Sequence, residues 1–528
     1  MRPVFKWLCT GAVLMAALTC TPHDDNAVVL QPDPPTGSDR LTAVISDLHM
    51  GVGRQAGGAW HPMEDFRWPS EFALFLQEVN RRGDGRTDLV LLGDTLELWQ
   101  SLDDKDCIYD NLDFACDEAG AVARVQRVLQ GHRDEWEALG RFADSGANRV
   151  VVVPGNHDAA LLFPEVERLV LAAGRSTSGR LTLAESGWWQ SADGLVYADH
   201  GHQIGKNLNR WDNWPRPFIG PGNRYLQRTW GEQFVQRYYN PFEAKYPIID
   251  NILDNGLGAY YAMKAEGLAG SVHAIGRFLT FFLSNLSAAQ YDDWLGEPGE
   301  PPKWDVAAVR TQGDRFIVES FPPGLLRDAA REAAARGELG LRMEDLTDEE
   351  IVAICDQREA LRPHTESPFA IVPPTEACPR SELGTIGQAL LLRSKTSILR
   401  RYLRDVAKEL QGSRPGQAPF AVYLYGHTHT VEGHLDPMAG VGEWRPIAFN
   451  SGAWQRTVAP RDLKAMRCGR PEASMIAEAP EVLPACYSAA LIPPYEETPP
   501  VVQLKYWTAD EGGTFALRDH CPPLPPCR

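Results

Sequence analysis

Five short clusters carry side chains able to hold metal ions or move protons, and each directly follows an apolar run. They are Ser46-Asp47-Leu48-His49 after LTAVI, Gly93-Asp94 after LVLL, Gly155-Asn156-His157-Asp158 after VVVVP, Asp199-His200-Gly201-His202 after LVYA, and Gly426-His427-Thr428-His429 after AVYLY. In an extended segment, alternation places Asp47 and His49 on one side, and likewise His427 and His429, so each pair could grip an ion. Gly426 has no Cβ and lets the backbone approach such a cluster closely. Taken singly, each cluster also reads as a turn or a cap, because Asp, Asn and Gly are favoured there. Their recurrence at the ends of strand-like runs argues for chemistry, since ligands of α/β sheets bind outside the carboxyl ends of the strands.

The elements that must position these groups follow from periodicity. Leu41 to Ile45, Leu89 to Leu92, Val150 to Val153, Leu195 to Ala198 and Ala421 to Tyr425 read as buried strands, with strand-like runs again at Trp444 to Phe449 and Val501 to Trp507. Ser70 to Asn80 and the longer Ala121 to Phe142 have apolar residues at helical spacing. Strand, helix, strand predicts parallel sheets. From about Gly205 to Pro419 the style changes to aromatic loops and then helices, such as Gly324 to Arg336 and Thr385 to Leu410, which reads as a large insertion. Its most apolar stretch, His273 to Leu286, is too short for a membrane span and is interrupted by Arg277, so a buried helix is expected.

The 528 residues exceed one average domain. With 44% hydrophobic and 23% charged residues the composition is that of a globular protein, and a net charge of −18 repels polyanions, so no nucleic acid partner is expected. Arg2 and Lys6 precede the apolar run Trp7 to Thr19, a pattern of export signals. Cys20 follows, then the Pro-rich tether Gln31 to Ser38, so the start resembles a bacterial lipoprotein with a membrane tether through lipidated Cys20. Residues Ala17, Leu18 and Thr19 depart from the usual lipoprotein cleavage box, which keeps ordinary signal cleavage open. The expected location is periplasmic, cell-surface or outer-membrane. Of ten cysteines, those beyond Cys20 fall in sequence-local pairs that would staple loops under oxidising conditions: Cys107 with Cys116, Cys355 with Cys378, Cys468 with Cys486, and Cys521 with Cys527. The expected organisation is a signal peptide over 1–20, a tether over 21–40, a core in two halves over 41–204 and 420–528, and an insertion over 205–419.

In order, the five clusters match the signature of the calcineurin-like metallophosphoesterases, and the chain resembles that family over roughly Thr42 to His202 and Ala421 to Trp454, where Asn450-Ser451-Gly452-Ala453-Trp454 is similar to its Asn-x-Gly-x-Trp strand. Ser46 to Gly51 and Gly93 to Trp99 are further similar to the UDP-2,3-diacylglucosamine pyrophosphatase branch, which carries Arg where His157 stands here. The resemblance implies an α/β fold, a four-layer sandwich of two central mixed sheets flanked by helices. It implies two divalent ions, with Asp47, His49 and His429 on the first, Asn156, His200 and His427 on the second, and Asp94 bridging. These oxygen and nitrogen donors suit manganese, iron or zinc and do not choose among them. The implied activity is hydrolysis of small phosphate mono- or diesters by a hydroxide bridging the two ions. His157 is implied near the leaving group, with Asp158 available to orient its imidazole, and His202 as a contact to substrate or a support for the ligands. A protein phosphatase, or a surface binding module that keeps its metals without catalysis, are the competing functions.

Overall fold

The computed structural model describes residues 38–253 apart from 56, 101–113, 205–208, 230 and 233–234, then 258, 261–262 and 265, and finally 399–410, 419–438, 444–496 and 500–524 apart from 511. The expected signal peptide, most of the tether and the helices expected at 273–286 and 324–336 lie outside these residues.

The strands are β1 (Leu41–Ile45), β2 (Thr87–Leu92), β3 (Phe114–Asp117), β4 (Arg149–Val153), β5 (Leu181–Leu183), β6 (Trp188–Gln190), β7 (Val196–Asp199), β8 (Phe218–Ile219) and β9 (Tyr225–Gln227). After the long intervening segment come β10 (Val422–Tyr425), β11 (Val431–Leu435), β12 (Ile447–Ser451), β13 (Cys486–Ile492), β14 (Gln503–Ala509) and β15 (Phe515–Arg518). One sheet has the order β15-β14-β13-β1-β2-β4-β5 and another β11-β12-β10-β7-β6, with β3-β9-β8 a small third. In the first, β1, β2, β4 and β5 are parallel, joined by helical crossovers, while β13 returns antiparallel to β1. In the second, β10 lies parallel to both β7 and β12.

Side-chain alternation makes these sheets a sandwich. Val44, Val90, Leu92 and Val153 from the first sheet meet Val196, Ala198, Val422 and Leu424 from the second in one apolar layer. The opposite face of the first sheet, with Ala43, Ile45, Leu89 and Leu91, packs on α1 (Pro69–Arg82), α2 (Glu118–Gly131), α3 (Arg133–Asp144) and α4 (Pro164–Ala173). The outer face of the second sheet, with Tyr197, Tyr423 and Tyr425, is covered by Leu399, Leu403 and Val406 of the helix over residues 399–410. The four expected layers are therefore present: helices, sheet, sheet, helix.

Two details depart from the sequence reading. The single helix expected from Ala121 to Phe142 is broken into α2 and α3 at His132. Gly131 touches the loop after β1, where an added Cβ would lie 2.6 Å from the Val52 carbonyl oxygen, and the chain turns so that His132 points inward, fully buried. The pairing of Cys468 with Cys486 and of Cys521 with Cys527 is replaced by a Cys486–Cys521 disulfide, because the end of the chain returns over the start of β13. Cys116 and Cys468 are disulfide-bonded as well. No helix among the described residues is long and apolar enough to cross a membrane.

Candidate metal centre

The ligand-bearing loops follow β1, β2, β4, β7 and β10, so five parallel strands of two sheets deliver their ends to one place. The loops are not extended, as alternation had suggested. Asp47, His49, Asp94, His427 and His429 all have positive φ, between 49° and 70°. For residues with a Cβ this left-handed backbone is strained, and it persists where surrounding contacts over-determine it. Those contacts are identifiable. The Asp47 N–H donates to the Gly93 carbonyl at 3.1 Å and the His49 N–H to the Asp94 carbonyl at 2.9 Å, tying the β1 and β2 loops together. Asn450 on β12 donates from Nδ2 to the Gly426 carbonyl and to Thr428 Oγ1, both at 2.9 Å, holding the loop that carries His427 and His429. Gly93 and Gly426 are required by contact: an added Cβ would lie 2.3 Å from the His200 ring or 2.8 Å from Asp47 Oδ2.

Within this frame Asp47, His49 and His429 form one group whose potential ligand atoms lie within 4.8 Å of one another, and Asp94, His200 and His427 form another. Asp94 stands between them, with Oδ2 at 2.9 Å from His200 Nε2 and 3.9 Å from His49 Nε2. Asn156 joins the second group through Oδ1, 3.1 Å from His200 Nε2. His200 Nδ1 lies 2.8 Å from the Leu92 carbonyl, which can only accept, so Nδ1 carries hydrogen and Nε2 faces inward. His49 is oriented the same way, Nδ1 lying 2.8 Å from Glu97 Oε2.

The residues present fit divalent ions. Asp47 Oδ1, His49 Nε2 and Asn156 Nδ2 are buried polar atoms with no hydrogen-bond partner, and the first two belong to the inward-facing ligand set. His200 Nε2, Asp94 Oδ2 and Asn156 Oδ1 crowd acceptors together, an arrangement that needs a proton or a cation among them. The field has that sign. Burial alone would depress the His200 imidazole, but the Asp94 and Asp47 carboxylates raise it to about 10. Burial likewise depresses His427, and the neighbouring His200 charge helps bring it to about 3, a neutral imidazole suited to ligation. For Asp94, burial opposes ionisation, yet the imidazoles of His200 and His157 hold its carboxyl well below the usual range.

His157 lies at the edge of this group, its ring 4.6 Å from that of His49 and its side chain 16% exposed. The orienting role expected of Asp158 falls instead to Glu97. Glu97 Oε2 is 2.6 Å from His157 Nδ1 as well as 2.8 Å from His49 Nδ1, and the Trp99 indole stacks on the His157 ring at 3.8 Å. Asp158 points into the backbone, accepting from Gly155 N at 2.6 Å, Thr95 N at 2.8 Å and Leu96 N at 3.2 Å, and so clamps the β4 loop onto the β2 loop. Burial lowers His157, while Glu97 and Asp94 raise it to about 9. His202 is 1% exposed and packs edge-on against Trp214 at 4.4 Å and Trp211 at 5.6 Å. Its ring also lies 5.5 Å from that of His200 and 6.5 Å from that of His427. Glu97 was missed in the sequence although it stands three residues after Asp94, where an acid directed at the same loop cluster could have been sought.

No curated protein and no solved structure matches the chain. A family model described as calcineurin-like phosphoesterase matches residues 41–249, past the expected start of the insertion but short of β10, so the fold alone brings His427 and His429 to the matched region. With its mixed two-sheet sandwich and candidate ligand groups, this region is similar to a calcineurin-like phosphoesterase domain.

Proposed function

We propose that the protein hydrolyses small phosphate mono- or diesters at a dinuclear centre, with Asp47, His49 and His429 on one ion, Asn156, His200 and His427 on the other, and Asp94 shared. The observation that carries this reading is the position of Asp94 Oδ2 between His200 Nε2 and His49 Nε2, with two ligand groups arrayed on either side of it. Such ions, when bound, supply positive charge to phosphoryl oxygens and lower the pKa of water. The chain's own groups do the rest. His157 is held through Nδ1 by Glu97, which leaves Nε2 to give a proton to the departing oxygen or a hydrogen bond to the transition state. Trp99 against its face limits rotation of the ring. Asp158 and Asn450 fix the loops rather than touch substrate.

An exported protein, tethered through Cys20 or released, is proposed from the Arg2, Lys6 and Trp7-to-Thr19 pattern, and the Cys486–Cys521 disulfide is in keeping with an oxidising compartment. The charge of −18 supports small phosphoesters over nucleic acid. The test is metal analysis of purified protein beside hydrolysis of p-nitrophenyl phosphate and bis-p-nitrophenyl phosphate, with and without added manganese. Two ions per chain and metal-dependent turnover of either ester are expected. Two bound ions with neither ester cleaved would favour the binding-module reading.

A further inference from the structure

A second group of acids lies beside the candidate centre and takes no part in it. Asp65 stands in the loop before α1, Glu243 ends the short helix Asn240–Glu243, and Asp250 follows a few residues later. Each offers one carboxylate oxygen, and the three oxygens lie within 4.8 Å of one another. Asp65 is 3% exposed and Glu243 1%, while Asp250 is half-buried.

Acids often cluster on surfaces without a ligand, but Asp65 and Glu243 are buried, and one Glu243 oxygen has no partner. Glu243 Oε1 accepts from Gln100 Nε2 at 2.8 Å, whereas Glu243 Oε2 has no hydrogen-bond partner. On the same short helix, three residues earlier, Asn240 Oδ1 is a second buried acceptor without a donor. Arg67 acts on Asp65, but its guanidinium is engaged by the carbonyls of Glu64, His61 and Pro62 and by Glu481 Oε2, while the charges of His157 and His429 act on Asp250. Burial, and then mutual repulsion, raise Asp65 and Glu243 well above the carboxylate range; burial and Glu97 raise Asp250 to about 7. An unpaired buried carboxylate is costly, and protons or a bound cation are the two remedies.

We propose that Asp65, Glu243 and Asp250 form a third cation site, separate from the two ligand groups around Asp94 and of the hard, all-oxygen kind that takes calcium. With no nitrogen or sulfur in the set, the donors select calcium, magnesium or manganese over zinc or copper. Oxygens on opposite sides of a calcium ion lie up to about 4.8 Å apart, twice the ~2.4 Å ligand distance, whereas magnesium demands a tighter octahedron. Asp250 sits close enough to Glu97, His157 and His429 for their charges to act on it. An ion there pins residues 240–250 against the rim of the candidate centre. It also cancels negative charge beside Glu97.

The experiment uses the full chain, stripped with chelator and reloaded with two equivalents of manganese, then titrated with calcium by calorimetry and checked by elemental analysis. Wild type is expected to take up one calcium that Asp65→Asn/Glu243→Gln does not, with equal manganese content in both. Calcium uptake by neither, or equally by both, overturns the site. If the double variant does not fold, wild-type protein titrated with terbium supplies the answer: Tyr239, whose hydroxyl neighbours Asp250, should sensitise luminescence that calcium abolishes, and its absence overturns the proposal. Neither readout depends on turnover, so failure here is distinct from failure of the phosphoesterase reading.

Discussion

Replacing His132 by Gln should remove a stabilising charge whose size can be worked out. The imidazole is fully buried at the α2–α3 break, with Nε2 3.2 Å from Glu64 Oε1 and Nδ1 3.6 Å from Glu135 Oε1. Burial favours the neutral ring, but Glu64 and Glu135 overcome it and raise the group to about 9, against an ordinary value of 6.5. A group whose affinity for protons is higher in the folded state contributes stability fully below the unfolded value, pH 6.5, and loses it as pH rises through about 9. The gap corresponds to roughly 3 kcal/mol. Because both contacts are ion pairs rather than aligned hydrogen bonds, that figure is an upper bound. Urea unfolding of wild type and His132→Gln at pH 6 and pH 10 isolates the effect, since other titrating groups cancel between the two proteins. Wild type should be the more stable at pH 6, and its advantage should shrink by up to about 3 kcal/mol at pH 10. An advantage that is the same at both pH values would refute the assignment of a charged His132.

Three further substitutions test the candidate centre. Asp94→Asn should lower hydrolysis of either p-nitrophenyl ester by at least ~100-fold and reduce the content of both ions, because one carboxylate serves both groups; near-normal turnover would contradict the shared ligand. His157→Asn should keep both ions and lose ~10²–10⁴ in rate for esters of poorly acidic alcohols, with a smaller loss for p-nitrophenyl phosphate. An equal loss across leaving groups would argue against a proton-donating role. Glu97→Gln should weaken metal affinity or activity by ~10–100-fold, since it releases the ring of His49 as well as that of His157, and Asp158→Asn should instead show its effect in stability, its oxygens being spent on backbone N–H groups.

How much of this was legible depended on whether the signal was local. β1, β2, β4, β7 and β10 were readable because each is a short apolar run, and the candidate ligands were readable because they sit in polar clusters at the ends of those runs, one or two to a loop. The left-handed backbone at Asp47, His49, Asp94, His427 and His429 was not, since none is the glycine or asparagine that usually marks such a conformation; the strain is imposed from outside, by hydrogen bonds between loops distant in sequence. The break at Gly131 was hidden for the same reason, being set by Val52.

The acids show the limit most clearly. Among 70 Asp and Glu residues, Glu97, Asp65, Glu243 and Asp250 have nothing in their own surroundings to separate them from a solvated surface. What separates them is burial, and burial is a property of the whole fold. Glu97 is buried because β1, β2 and β4 bring two imidazoles to it, and their charges hold its carboxyl below the usual range against the cost of desolvation. Asp65 and Glu243 are buried to the same degree with no imidazole beside them, and their carboxyls move in the opposite direction. Equal desolvation with opposite outcomes means that the first set is already compensated by protein groups and the second is not. That difference makes the second set the place where a further cation would be bound.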